Sequence, residues 1–192
     1  MSTALLVNCS PVTTGATQEI CRLLGEELSS RCTVRTVSIA DYPMACCTGC
    51  RSCHATGRCV LPPDGAPRLL AELDRARTLV FVSPSYWADV PGQFKVFIDR
   101  CTPWSNTHTP HAALTPGKGA YAVALRTGPG EAECQRILTT LTHFLGHLDV
   151  PCLGTLALTG VESRADLPAR EAEIRAFARS FEIQGSDPHA LL

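Results

Sequence analysis

Short apolar runs alternate with stretches of helical periodicity along this chain, and that alternation restricts its fold more than any other feature. Ala4-Leu5-Leu6-Val7 stops at Cys9-Ser10-Pro11. From Thr17 the period lengthens, and Ile20, Leu23, Leu24 and Leu28 share one helical face. Thr33 to Ile39 sets Val34, Val37 and Ile39 among polar residues, a second strand. Leu69, Leu70 and Leu73 mark a short helix beginning near Asp64, and Thr78-Leu79-Val80-Phe81-Val82 is the most strand-like run. A helix follows from Gln93 to Cys101, then strands at Ala120 to Leu125 and Cys152 to Leu158. Between these last two lies an amphipathic helix carrying Ile137, Leu138, Leu141, Phe144, Leu145 and Leu148. Ile174, Phe177, Ala178 and Phe181 give the last helix.

Strands that are apolar throughout and separated by helices imply a parallel sheet covered on both faces. With right-handed crossovers, five such strands form a three-layer α/β sandwich. The expected arrangement is a single flavodoxin-like domain over 1–192, strand order 2-1-3-4-5, with a ligand crevice at the carboxyl ends of strands 1 and 3. Residues 41 to 63, rich in Cys, Gly and Pro without a period, are expected to be a loop.

Lys and Arg total 17 against 18 Asp and Glu, so neither nucleic acid nor an anionic membrane surface is expected as a partner. No apolar run approaches the ~18 residues of a membrane helix. The chain opens Met-Ser-Thr-Ala-Leu-Leu-Val-Asn-Cys-Ser without a basic leader, and the expectation is a cytoplasmic protein with reduced thiols. Of the 11 cysteines, Cys46, Cys47, Cys50, Cys53 and Cys59 are clustered. In a reducing compartment such clustering indicates a metal or redox site.

Three loops lie where the crevice is expected. The first, Cys9 to Thr17, carries no charge, offers hydroxyls and Gly15, and ends at a helix N-terminus, where free N–H groups and the helix dipole attract phosphate. An ordinary Thr-capped turn reads equally well from this loop alone. It lacks the Gly-Lys-Ser/Thr triplet of nucleotide-triphosphate hydrolases. The second, Ser83 to Gly92, presents adjacent aromatics, Tyr86 and Trp87, suited either to a flat conjugated ligand or to a protein interface. The third, Arg126-Thr127-Gly128-Pro129-Gly130, permits close backbone approach.

These residues resemble a known family. Ser10-Pro11 followed by Gly15-Ala16-Thr17 is similar to the phosphate loop of the NADPH-dependent FMN reductases, with Val12 in place of the usual Arg and Ala16 in place of the usual Asn. Ser83-Pro84-Ser85-Tyr86-Trp87, then Pro91-Gly92, Lys95 and Phe97-Ile98-Asp99-Arg100, resembles the loop and helix after that group's third strand. The resemblance implies an FMN-dependent NAD(P)H oxidoreductase acting on flavin, quinone or a similar conjugated acceptor. It places Ser10, Thr13, Gly15, Ala16 and Thr17 at the FMN phosphate, Pro84, Ser85, Tyr86 and Trp87 beside the isoalloxazine, and Thr127, Gly128 and Gly130 on its pyrimidine side. A flavin in an open crevice needs a neighbour to cover it, so a homodimer or tetramer is expected, with 102–118 and the cysteine loop near the interface and Trp87 and Trp104 as aromatic surface to bury there.

The cysteine run, Cys47-Thr-Gly-Cys50-Arg-Ser-Cys53 then Thr56-Gly57-Arg58-Cys59, resembles that of the iron–sulfur flavoproteins. Two-residue gaps let three sulfurs converge from one arc, with Gly49 and Gly57 turning the loop. The ligands of a 4Fe–4S cluster would be Cys47, Cys50, Cys53 and Cys59, with Cys46 spare. Zinc, which favours two well-separated knuckles, is the weaker metal. A cluster-free thiol loop remains an equal alternative. Two further readings follow: an electron carrier taking electrons from ferredoxin through the cluster to FMN, and a flavin-free thiol or metal sensor. Among the histidines, His54 is expected to face solvent, His108 and His111 to reach the crevice or a second subunit, and His143 and His147 to form a solvated or interface pair. No acid–base residue stands out.

Overall fold

The computed structural model describes residues 2–183. Its centre is a five-stranded parallel sheet in the order β2-β1-β3-β4-β5. The strands are β1 (Thr3–Asn8), β2 (Thr33–Ser38), β3 (Thr78–Pro84), β4 (Gly119–Leu125) and β5 (Cys152–Leu158). The helices are α1 (Ala16–Leu28), α2 (Ser52–Thr56), α3 (Gly65–Arg75), α4 (Gly92–Arg100), α5 (Ala132–His147) and α6 (Glu171–Arg179). The parallel ladder joins strands far apart in sequence in steady register, with Val7 opposite both Val37 and Phe81.

Each central strand buries alternate residues on opposite faces. Leu5, Val7, Leu79 and Phe81 meet α3, α4 and α5, where Phe81, Phe94, Phe97 and Phe144 form an aromatic cluster. Ala4, Leu6, Val80 and Val82 meet Ile20, Leu24, Ile174 and Ala178 of α1 and α6. Tyr121 closes this second layer, its ring stacked on Phe181 at 3.7 Å. Burying apolar side chains on both faces is what commits these runs to an interior parallel sheet. Among the described residues, no helix is long and apolar enough to cross a membrane.

The segment 41–63 departs from a plain loop. It contains the single helical turn α2, entered through Arg51 in the left-handed region at φ 59° and left through Gly57 at φ 68°. Gly49 is also left-handed, at φ 67°. A five-residue helix offers too little periodic sequence to register as one. The last helix ends at Arg179, so Phe181 packs from beyond it.

Candidate functional site

The loops after β1, β3 and β4 stand together at the carboxyl edge of the sheet: the Cys9 N–H donates to the Val82 carbonyl at 2.9 Å and the Ser85 N–H to the Leu125 carbonyl at 2.8 Å. Asn8, buried at the end of β1, organises the first loop. Its Oδ1 accepts from the Ser10 N–H at 3.0 Å, and its Nδ2 donates to the Val12 carbonyl and to Gln18 Oε1. Ser10 Oγ in turn accepts from the Val12 N–H. Ser10 and Thr17 are buried, Thr13 is exposed, and Gly15 and Ala16 lie between. Gly15 opens α1 with no side-chain cap, which leaves the helix's first turn available to an anion.

The second loop is a miniature hairpin. Tyr86 and Asp89 exchange backbone hydrogen bonds, and the two residues between them, Trp87 at φ 55° and Ala88 at φ 64°, are both left-handed. That is the two-residue turn normally built from Asn and Gly. Here it holds Trp87 out, 99% exposed, with Tyr86 exposed beside it.

The third loop folds over Arg126. Arg126 Nη1 donates to the Gly130 carbonyl at 2.9 Å, Nη2 lies 3.3 Å from Glu133 Oε1, and Nε is buried without a partner. Ser85 Oγ donates to Glu133 Oε2 at 2.9 Å, linking the second and third loops. Together Ser85, Trp87, Ala88, Arg126, Thr127 and Glu133 line an open cavity of about 430 Å³. The second and third loops thus form one cavity, while the first loop abuts them without lining it. Sequence reasoning named Arg126 only as part of a glycine-rich loop and missed Asn8 and Glu133; the signal available was a lone Arg at the end of the fourth strand.

The cysteine run lies apart from this cavity. Cys46, Cys47, Cys50 and Cys59 are exposed and Cys53 is half-buried on α2. Burial, reinforced by the charges of Cys47, Cys50 and Cys59, pushes the Cys53 thiol up, whereas hydrogen bonds from Ser52 and Thr48 hold the Cys50 thiol down. Among the described residues no three His, Cys, Asp or Glu side chains converge as a metal site, so this conformation does not itself form the cluster's cage. Of the six cysteines outside the run, Cys9, Cys21, Cys101 and Cys134 are buried and Cys32 and Cys152 half-buried, and burial drives the Cys21 thiol up to about 12.

The histidines resolve unevenly. His54 is exposed as expected, yet stacked on His108 at 4.5 Å. His108 and His111 sit against the cysteine loop, not the crevice, because the 105–112 segment packs across Gly57. A second cavity, about 570 Å³, lies there between Cys59, Leu70, Trp104 and His111. His143 and His147 are a pair, Nε2 to Nε2 at 2.8 Å.

Residues 2–162 match the profile of the NADPH-dependent FMN reductases. The chain belongs to this family. Curated relatives of this FMN reductase-family chain include an iron–sulfur flavoprotein of Archaeoglobus fulgidus, 33% identical over 102 residues that cover 52% of this chain and 43% of that protein. Another, from Clostridioides difficile, is 29% identical over 98 residues, covering 50% and 44%. The matches thus span under half the length of these relatives. Among solved structures, a flavone reductase superposes with TM-score 0.72 at 13% identity, covering 92% of this chain and 60% of that one. An FMN-dependent NADH-azoreductase of Bacillus anthracis, in complex with FMN, gives TM-score 0.67 at 14% identity, covering 93% and 98%.

An anionic, flat cofactor suits the crevice: α1 presents an uncapped first turn, Tyr86 and Trp87 stand exposed at its edge, and Arg126 places a cation in the cavity lining.

Proposed function

We propose that this chain is an FMN-dependent NAD(P)H oxidoreductase that reduces a flavin, a quinone or a similar conjugated acceptor. The observation that carries the reading is the cavity at the carboxyl ends of β3 and β4, bounded by Trp87 and Arg126, in a chain of the FMN reductase family. FMN supplies the electron chemistry when bound. The residues do the rest. Ser10, Thr13, Gly15, Ala16 and Thr17 offer backbone N–H groups and hydroxyls to the phosphate at the start of α1. Pro84, Ser85, Tyr86 and Trp87 flank the ring, and Thr127, Gly128 and Gly130 close its pyrimidine side. A second protomer, in a dimer or tetramer, covers the exposed Trp87. The exposed thiols suit a reducing, cytoplasmic setting.

The test is direct. Protein titrated with FMN should bind it saturably, and the complex should oxidise NADH or NADPH when given a quinone. Protein that takes up no FMN at micromolar concentration overturns the reading.

A second reading, an iron–sulfur flavoprotein fed by ferredoxin, is favoured by the C-x2-C-x2-C-x5-C run of Cys47, Cys50, Cys53 and Cys59 and by the iron–sulfur flavoproteins that this chain matches. Anaerobic iron and sulfide analysis after Cys→Ser changes at all five positions decides it. Loss of iron at Cys46 but not at Cys47 refutes that ligand set.

A further inference from the structure

We propose that Arg126 sets the redox preference of the bound flavin by stabilising the negative charge that reduction adds to it. The inference rests on the reading that FMN occupies the crevice.

Arg126 directly follows β4 and is half-buried under its own loop. Its guanidinium is fixed on two sides, by the Gly130 carbonyl and by Glu133, and Glu133 is itself held by Ser85 Oγ from the facing loop. The guanidinium packs against Gly128, where an added Cβ would come within 3 Å of Nη2 and oblige the Arg126 side chain to move. The charge therefore lies in the cavity wall next to Thr127 and Gly128 instead of extending into water. Its Nε lies beneath the loop, out of reach of solvent, so what the guanidinium offers the cavity is its charge, not a free hydrogen bond. A preorganised cation is worth most where charge develops during reaction.

Hydride transfer from NAD(P)H oxidises the nicotinamide and gives the flavin two electrons and one proton, the proton residing at N5. One negative charge is gained, and it is carried by N1 and the C2 carbonyl of the pyrimidine ring. A fixed cation on that side binds the reduced form more tightly than the oxidised form, which raises the potential. Glu133 opposes this charge while holding it in place, so its removal should act in the opposite sense.

The test compares Arg126→Gln, Arg126→Lys and Glu133→Gln as FMN complexes of the full chain. The readouts are the flavin potential, measured against a reference dye, and the affinity for sulfite, which adds at N5 and places the same negative charge on the ring without NAD(P)H. Arg126→Gln should weaken reduced FMN about tenfold more than oxidised FMN, which lowers a two-electron potential by ~30 mV. Sulfite affinity should fall with it, Arg126→Lys should recover most of both, and Glu133→Gln should shift both upwards. Arg126→Gln that weakens the two redox forms equally makes Arg126 a brace for the loop and overturns the inference. So do unchanged potentials in both Arg126→Gln and Glu133→Gln. Wild-type protein that binds no FMN defeats the functional reading itself, a separately visible failure.

Discussion

Asp64 and Arg100 form a two-pronged pair, Oδ2 lying 2.6 Å from Nη1 and Oδ1 3.2 Å from Nη2, with the Arg100 side chain 2% exposed. The same carboxylate caps α3 through the Ala66 N–H and accepts from the Ala45 N–H, while Arg100 also donates to the Ala45 carbonyl. One ion pair thus fastens the start of the cysteine run to α3 and α4. Asp64→Asn keeps the shape but leaves a buried guanidinium uncompensated, and should cost about 3 kcal/mol in urea unfolding.

The pair also sets an acid limit. Burial by itself would raise the Asp64 carboxyl, but the hydrogen bond from Arg100, then those from the Ala66 and Ala45 N–H groups, take it below the usual 3.8. A carboxyl lowered in the folded state contributes stability above its unfolded value and loses it as pH falls through the folded one. The stability gap between wild type and Asp64→Asn should be constant near neutrality and shrink below pH 3.8.

Gly15→Asp should weaken FMN binding by about 1 kcal/mol or more, through repulsion between carboxylate and phosphate. The added Cβ meets Val12 Cγ1 at 3.3 Å, a contact that a flexible, exposed side chain can relax. Gly15→Ala therefore serves as the steric control in fluorescence titrations with FMN. Equal affinity in wild type and Gly15→Asp would place the phosphate elsewhere.

Ala88 occupies a left-handed position that costs an L residue about 1 kcal/mol. Ala88→Gly removes that cost but adds freedom to the unfolded chain, so the net gain should be a few tenths of a kcal/mol. Thermal denaturation of the two proteins checks the sign.

Thiol labelling should divide the cysteines by environment. Cys50, exposed and with its thiol lowered by Ser52, should alkylate faster than Cys53, and Ser52→Ala should slow it. Cys9, Cys21, Cys101 and Cys134 should stay unlabelled until the protein unfolds. Mass spectrometry of timed digests reads both effects.

The sequence by itself determined the sheet and its covering. Runs such as Ala4 to Val7 and Leu79 to Val82 are apolar at consecutive positions, and only a strand buried on both faces satisfies them. It also marked the loops that meet at the carboxyl edge, because Gly, Pro and hydroxyl residues interrupt the pattern there. Tertiary structure alone decided what fills those loops. Ser85 and Glu133 are 48 residues apart, Asp64 and Arg100 are 36 apart, and His54 finds His108 across the cysteine loop. Spacing placed four cysteines within reach of one another, but whether their sulfurs converge depends on the left-handed Arg51 and on how that loop is clamped. Periodicity reports burial over a few residues; the pairing of polar groups is set by chain segments that meet only once the sheet has formed.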